Sequence, residues 1–322
     1  MRTIRRLYFY MVAFISMEVV LWGLIGLARS IFSNTVGGGV DQLAQALALI
    51  LVGVPVFGIH WWAAQRNAKR DADERASGVR AFFFYAALLA LLIPVVQNGL
   101  AVLDRLLLNA FDLSVSRAFL GGSQNLVDNL IAAIMNALLA GYFLSILHAD
   151  WHSLKDKFAL IFTRRLYRYI WVLYSLIMSI GGVQQILRYL LSRPVGSTYF
   201  VDESWFVNGL ALTLVGVPLW VWAWKVVQDS IIDKVERASL LRLGVLYILS
   251  LSGVIFVLSV SGIVVNALLQ MVLGEIETFA ELMRETNDPL SIGIPLGAVW
   301  AYYGNWLKRD LAAVPDAPRR AG

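Results

Sequence analysis

Eight runs of apolar sequence, each about twenty residues long, leave this chain few places to fold. They predict helices over 8–31, 42–63, 81–104, 126–148, 167–190, 206–225, 244–273 and 290–307. A helix rises about 1.5 Å per residue, so each run can span the roughly 30 Å of bilayer hydrocarbon. Of the 322 residues, 59% are hydrophobic and 15% charged, whereas soluble domains carry about 25% charge. One globular core cannot hide such an excess, and lipid is the expected solvent. The expected fold class is all-α: a polytopic membrane bundle of eight transmembrane helices.

Charge then sets an orientation. With the N-terminus in the cytoplasm, only Arg29, Arg105, Arg117, Arg188, Arg193 and Arg284 of the 27 basic residues fall on the far side. Short loops with this bias fix topology, so both termini are expected in the cytoplasm. The net charge of +5 is read as this sidedness, and no nucleic-acid partner is expected. The opening MRTIRRLYFYMVAFISMEVV has the basic-then-apolar order of a signal peptide. Its apolar run exceeds the roughly 7–15 residues of such a segment, and the same order recurs mid-chain in TRRLYRYIWVLYSLIMSI. A retained span is expected. The chain has no cysteine, which excludes disulfides, thiolate metal sites and cysteine nucleophiles.

The sequence also repeats itself. LVGVPVFGIHWW at 51–62 returns as LVGVPLWVWAWK at 214–225. Each odd-numbered span opens on an arginine with a tyrosine five residues later: Arg5/Tyr10, Arg80/Tyr85, Arg164/Tyr169 and Arg242/Tyr247. Each even-numbered span carries a glycine: Gly53 with Pro55, Gly141, Gly216 with Pro218, and Gly293 with Pro295. Together these predict four two-helix repeats, each starting and ending on the same side and so parallel to one another. They group as two four-helix units, 1–160 and 161–307, before a disordered cytoplasmic tail at 308–322. A glycine lets another backbone approach closely and a proline kinks the span, so packing is their expected role. The Arg-Tyr pairs are expected to anchor helix ends, arginine at lipid phosphate and tyrosine at the interface.

RRLYFY (5–10), LVGVPVFGIHWWAAQR (51–66), RRLYRY (164–169) and LVGVPLWVWAW (214–224) resemble an uncharacterised bacterial membrane-protein family. That family is a domain of unknown function, present here as a tandem duplication across nearly all eight spans. The resemblance implies a bacterial inner (cytoplasmic) membrane and supplies no activity. The second unit departs from the family's pattern at Ala223, which stands where the first unit has His60.

Two sets of residues could carry chemistry. Glu18 is an acid near the middle of the first span, where the other repeats align Ile93, Ile177 and Ile255. Such a group costs about 2.5–3.5 kcal/mol to insert and usually faces a cavity or a partner. Asn136 lies at similar depth, and Gln97, Asn98, Gln184, Gln185 and Asn266 lie in the outer halves of their spans. They could line one polar cavity with Glu18 at its floor as a proton or cation site. Alternatively, Glu18 is protonated and bonded to one neighbouring amide as packing glue. His60 and His148 could ligate a haem axially, and His148 and His152, four apart, could share a metal. Their plainer reading is as interfacial side chains, since the same repeat position holds Ala223 and Trp300.

No G-x-x-x-x-G-K-[ST], H-E-x-x-H or G-x-S-x-G occurs, and an enzyme is not expected. TVGGGVDQ (35–42) is expected as an external turn, and 65–80 as a solvated helical connector. GEIETFAELMRETNDP (274–289) predicts a short amphipathic helix on the outer surface, with Ile276, Phe279, Leu282 and Met283 on one face. Residues 101–125 predict the same. The functional expectation is an accessory membrane protein that binds lipids, a protein partner or its own copy, with no cofactor. The alternative is a small-solute or ion transporter or channel coupled through Glu18, and a second alternative is a haem- or metal-binding redox subunit. A polar cavity reaching Glu18 selects transport, and a dry core selects the accessory role.

Overall fold

The computed structural model describes residues 2–32, 40–120, 124–154, 158–193, 201–231 and 239–313, with no strand among them. The helices are α1 (Arg2–Phe32), α2 (Val40–Arg70), the single turn α3 (Ala72–Arg75), α4 (Gly78–Ala110) and α5 (Leu126–Ser153). After them come α6 (Phe158–Ser192), α7 (Glu203–Asp229), α8 (Leu240–Val272) and α9 (Phe279–Ala313). The long helices exceed the predicted spans because several turns at each end carry polar and charged side chains past the apolar run. Seven of them are long and apolar enough to cross a membrane, which makes this a multi-pass membrane protein. The eighth, α9, is set apart by Glu281, Arg284, Glu285 and Asp288 in its first turns.

The chain divides into two compact units inside α6. The first comprises Met1–Asn109 and Ser114–Tyr167, the second Ala110–Leu113 and Arg168–Gly322. In the first unit, α1, α2, α4 and α5 pack around Tyr10, Met17, Trp61, Phe84, Leu88 and Phe143. The Trp61 ring lies 5.4 Å from both Phe83 and Phe143, and its Nε1 donates to the Tyr142 hydroxyl at 2.8 Å. Leu51, Val52, Ile59 and Leu138 point outward instead, as suits a surface facing lipid. In the second unit Trp220 Nε1 donates to Tyr303 OH at 2.8 Å, and Val172, Val207, Ala211 and Leu246 are buried.

Two ion pairs recur in both units. At one end of the first, Arg29 of α1 donates from Nε and Nη2 to Asp128 O at 3.3 and 3.1 Å, with the Asp128 carboxylate 4.0 Å away. In the second, Arg188 of α6 meets the Asp288 carboxylate of α9 at 2.8 Å. At the opposite ends Arg80 of α4 holds Asp150 of α5 at 2.7 Å, and Arg242 of α8 holds Asp310 of α9 at 2.6 Å. The partners lie 99 and 100 residues apart at one end and 70 and 68 at the other. The duplication therefore repeats its charges as well as its apolar phrases. These pairs also set the register: α5 matches α9 with Asp128 at Asp288 and Asp150 at Asp310, so Gly141 corresponds to Ala301 and not to Gly293.

Several expectations change. Tyr10, Arg80, Tyr85, Tyr169 and Arg242 do not reach lipid phosphate: all are buried, Arg80 at 2% and Arg242 at 1% exposure. An arginine at a helix start can turn either way, and here a buried aspartate on the facing helix turns it inward. Arg80 also donates to Tyr10 OH and Gln65 Oε1, both at 2.9 Å. Arg5 is exposed, Tyr247 is exposed, and Arg164 stacks over Trp151 at 4.2 Å.

Three of the four repeat glycines stand at helix contacts. A Cβ on Gly53 would lie 2.8 Å from Val20 Cγ2, one on Gly216 2.9 Å from Ser179 N, and one on Gly293 2.6 Å from Val260 Cγ1. Gly141 meets nothing within 4 Å, which corrects its assignment to packing and fits its different register. Pro55, Pro218 and Pro295 all sit inside helices.

The segments between spans are more ordered than expected. Helix α9 runs through 308–313 with Asp310 buried, correcting the disordered tail there; 314–322 lie outside the described residues, as do 33–39 of the glycine-rich turn. The 274–289 segment forms no separate surface helix, because α9 begins at Phe279 and continues through Pro289. Ile276 and Leu282 pack with Ala267, and Asn287 Nδ2 donates to Arg188 O at 3.2 Å. In 101–125, α4 extends to Ala110 and a 3-10 turn covers Val115–Arg117, where a surface helix was expected; Phe119 N donates to the Asp104 carboxylate at 2.9 Å. The 65–80 connector is likewise not simply solvated, since buried Glu74 accepts from Arg6 Nε at 2.7 Å.

Candidate functional site

The helices of the first unit line an open cavity of about 660 Å³. From α1 it takes Glu18, Leu21, Trp22, Ile25, Gly26 and Arg29, and from α2 Gln42, Gln45, Ala46 and Leu49. Ala90, Pro94, Gln97, Asn98 and Ala101 come from α4, and Asn129, Ala132 and Asn136 from α5. Leu120 and Gln124, on the segment that joins α4 to α5, complete the wall. Glu18, Gln97, Asn98 and Asn136, which the sequence singled out, all face this one space. Gln184, Gln185 and Asn266 belong to the second unit and do not line it.

Glu18 is placed there by the periodicity of α1. Met17 and Leu21 turn into the core, and Glu18 with Trp22, one turn apart, falls on the adjacent stripe that lines the cavity. At about 1.5 Å per residue it stands roughly 20 Å along the axis from the Phe32 end of α1. Trp22 Nε1 donates to Glu18 Oε2 at 3.3 Å. Glu18 Oε1 is buried and, among the described residues, has no hydrogen-bond partner. Among the described residues the partner of this carboxyl is the Trp22 indole and not an amide, the group the glue reading expected.

The amides have fixed orientations. Asn98 Nδ2 donates to Pro94 O at 2.7 Å, Asn136 Nδ2 to Ala132 O at 2.8 Å, and Asn129 Nδ2 to Asn125 O at 3.2 Å. Arg29, a basic residue on the wall, is held by Asp128. Arg29, Gln42, Gln45, Gln124 and Asn129 were not anticipated. Gln42 and Gln45 lie one turn apart, a spacing that could have revealed a shared polar face at the start of α2.

The histidines stand apart from the cavity. His60 Nδ1 donates to Val56 O at 2.8 Å, and its ring lies 5.7 Å from those of Tyr8 and Phe9. The His148 and His152 rings approach to 4.4 Å. Among the described residues, no three His, Asp or Glu side chains gather where they could hold a metal ion.

Neither the curated proteins nor the solved structures hold a match to this chain. The family comparison does, and it matches twice, over residues 6–138 and 165–298. Those two stretches contain the paired arginines of both units, and all of the cavity wall falls in the first. On that duplicated match the chain belongs to the family described as Domain of unknown function (DUF5671).

Proposed function

We propose that the chain is a small-solute transporter or channel whose binding site is the cavity of the first unit, with Glu18 as its coupling group. The observation that carries this reading is the polar part of the wall, one carboxylate, one guanidinium and seven carboxamides around about 660 Å³, inside a bundle whose outer face is apolar. Polar groups at such depth are costly in hydrocarbon and usually mark a solute or ion path. An accessory protein held together by packing has no need of that wall. On this reading the chain is not an enzyme and needs no resident haem or metal. Its partner is the lipid bilayer, and a second copy or another protein could add to its apolar outer face. The excess of basic residues on one side supports an inner-membrane setting with both termini in the cytoplasm.

A cysteine-free chain allows a direct test. In proteoliposomes, Gln97→Cys should react with a membrane-impermeant maleimide from one face, while lipid-facing Leu138→Cys should not. Absence of labelling at Gln97→Cys would remove the solute site and restore the accessory role. Where access is found, Glu18→Gln should abolish proton-coupled solute flux while leaving folded yield unchanged, because glutamine keeps the hydrogen-bonding capacity of a protonated carboxyl.

A further inference from the structure

We infer that the solute is an organic cation, a protonated amine with an apolar body, held by hydrogen-bond acceptors. The inference rests on the cavity being the solute site and concerns what that site recognises. A backbone carbonyl can only accept, so an amide bonded to one must offer its NH₂ there and turn its oxygen away. Asn98, Asn129 and Asn136 are all bound in this way to carbonyls of their own surroundings. Among the described residues their Oδ1 atoms have no partner, and all three residues line the cavity.

A further acceptor comes from the backbone. Pro94 has no N–H, so the carbonyl of Ala90, four residues earlier, lacks its helical donor. Both residues are on the wall. Glu18 adds a carboxylate whose Oε1 is buried and unpartnered, and Gln42, Gln45, Gln97 and Gln124 add carboxamides that can accept as well as donate. Arg29 is already bound to Asp128.

An anion would meet that carboxylate and those oxygens unfavourably. A bare metal ion would leave most of the space empty, and its apolar stretch of Leu21, Ile25 and Leu49 unused. Ligand sites for organic molecules run to about 300–1,000 Å³, and this cavity falls within that range. An ammonium group satisfies the oxygens with its N–H donors and Glu18 with its charge. The apolar body then has Leu21, Ile25 and Leu49 to lie against.

The Gln97→Cys protein in lipid nanodiscs gives the readout, the rate of maleimide labelling. Phenethylammonium should slow labelling at least about tenfold more than neutral 3-phenylpropanol does, the scale of one charge-assisted contact. 3-Phenylpropanoate should not protect. Adding Glu18→Gln should remove the protection, measured against that protein's own ligand-free rate. Equal protection by amine and alcohol, protection by the carboxylate, or protection that survives Glu18→Gln would each overturn the inference. So would equal protection by phenethyltrimethylammonium, which has no N–H to donate. In all four of these outcomes labelling still occurs, and the solute site stands. Failure of the cysteine to label at all removes the site and the inference with it.

Discussion

Glu18 of α1 and Ile177 of α6 hold matching places in the two units, and their surroundings differ together. Around Glu18 stand Trp22, Asn98 and Asn136. In the register set by the ion pairs, the second unit has Gly181, Val260 and Leu296 at those places. The first two helices approach closely in both units: a Cβ on Gly23 would lie 3.1 Å from Ala46 O, one on Gly182 2.7 Å from Thr213 N, and one on Gly209 2.8 Å from Gly182 O. In the first unit, Ala46 stands where the second has Gly209, and it lines the cavity. The clamps, Arg29–Asp128 with Arg80–Asp150 and Arg188–Asp288 with Arg242–Asp310, are present in both. The clamps are thus common to both units, whereas Glu18, Asn98 and Asn136 on the cavity wall have no polar counterpart in the second.

The largest expected effect tests the clamps. Asp310→Ala leaves a buried guanidinium whose Nη1 and Nη2 already have no partner among the described residues, and should cost about 3–5 kcal/mol. Asp150→Ala should cost less, because Tyr10 and Gln65 still hold Arg80. Thermal unfolding followed by tryptophan fluorescence compares the two, and equal losses would end the claim that the clamps differ in redundancy. Next, Ile177→Glu transplants the acid to a site that is 69% exposed on the outside of the second unit, at about 2.5–3.5 kcal/mol. Membrane-inserted yield should fall for Ile177→Glu and hold or rise for Glu18→Ile.

A third comparison concerns the glycines. Gly182→Ala pushes on backbone atoms of α7, whereas Gly53→Ala meets chiefly a valine methyl that can rotate. The former should cost about 1–3 kcal/mol and the latter less; the reverse order in thermal unfolding would show that the second unit's seam is not its tight point. The smallest effect is expected at Trp61→Phe and Trp220→Phe, which each remove one hydrogen bond of about 0.5–1.5 kcal/mol. Tyr303 is fully buried and Tyr142 is 45% exposed, so the Tyr303 hydroxyl has less freedom to turn to another partner, and Trp220→Phe should be the costlier change.

Apolar length made the spans legible, and a lone acid in an apolar run made Glu18 legible, because both are local properties of the sequence. Cavity residues on α4 and α5 could be guessed from their polarity and depth. The clamps could not, since Arg29 and Asp128 are 99 residues apart and neither stands out in its own neighbourhood. The buried arginines were misread for a related reason: an arginine followed by aromatics at a helix start looks the same whether it turns to lipid or inward. The surface helix expected over 274–289 and the span expected from 290 are joined in α9, with Asp288 paired to Arg188 and Asn287 bonded to the Arg188 carbonyl. Tertiary partners decided each of these cases.

The last long helix of each unit carries two of the clamping aspartates, Asp128 and Asp150 on α5 and Asp288 and Asp310 on α9. Every one is met by an arginine synthesised earlier, from α1 and α4 in the first unit and from α6 and α8 in the second. Emerging alone into lipid, such a helix would carry unmatched charge. Delivered last, it finds both partners waiting and neutralises them as it inserts. The order of the charges along the chain is therefore an order of synthesis: in each unit the ribosome sets out the arginines first and the aspartates that complete the pairs last.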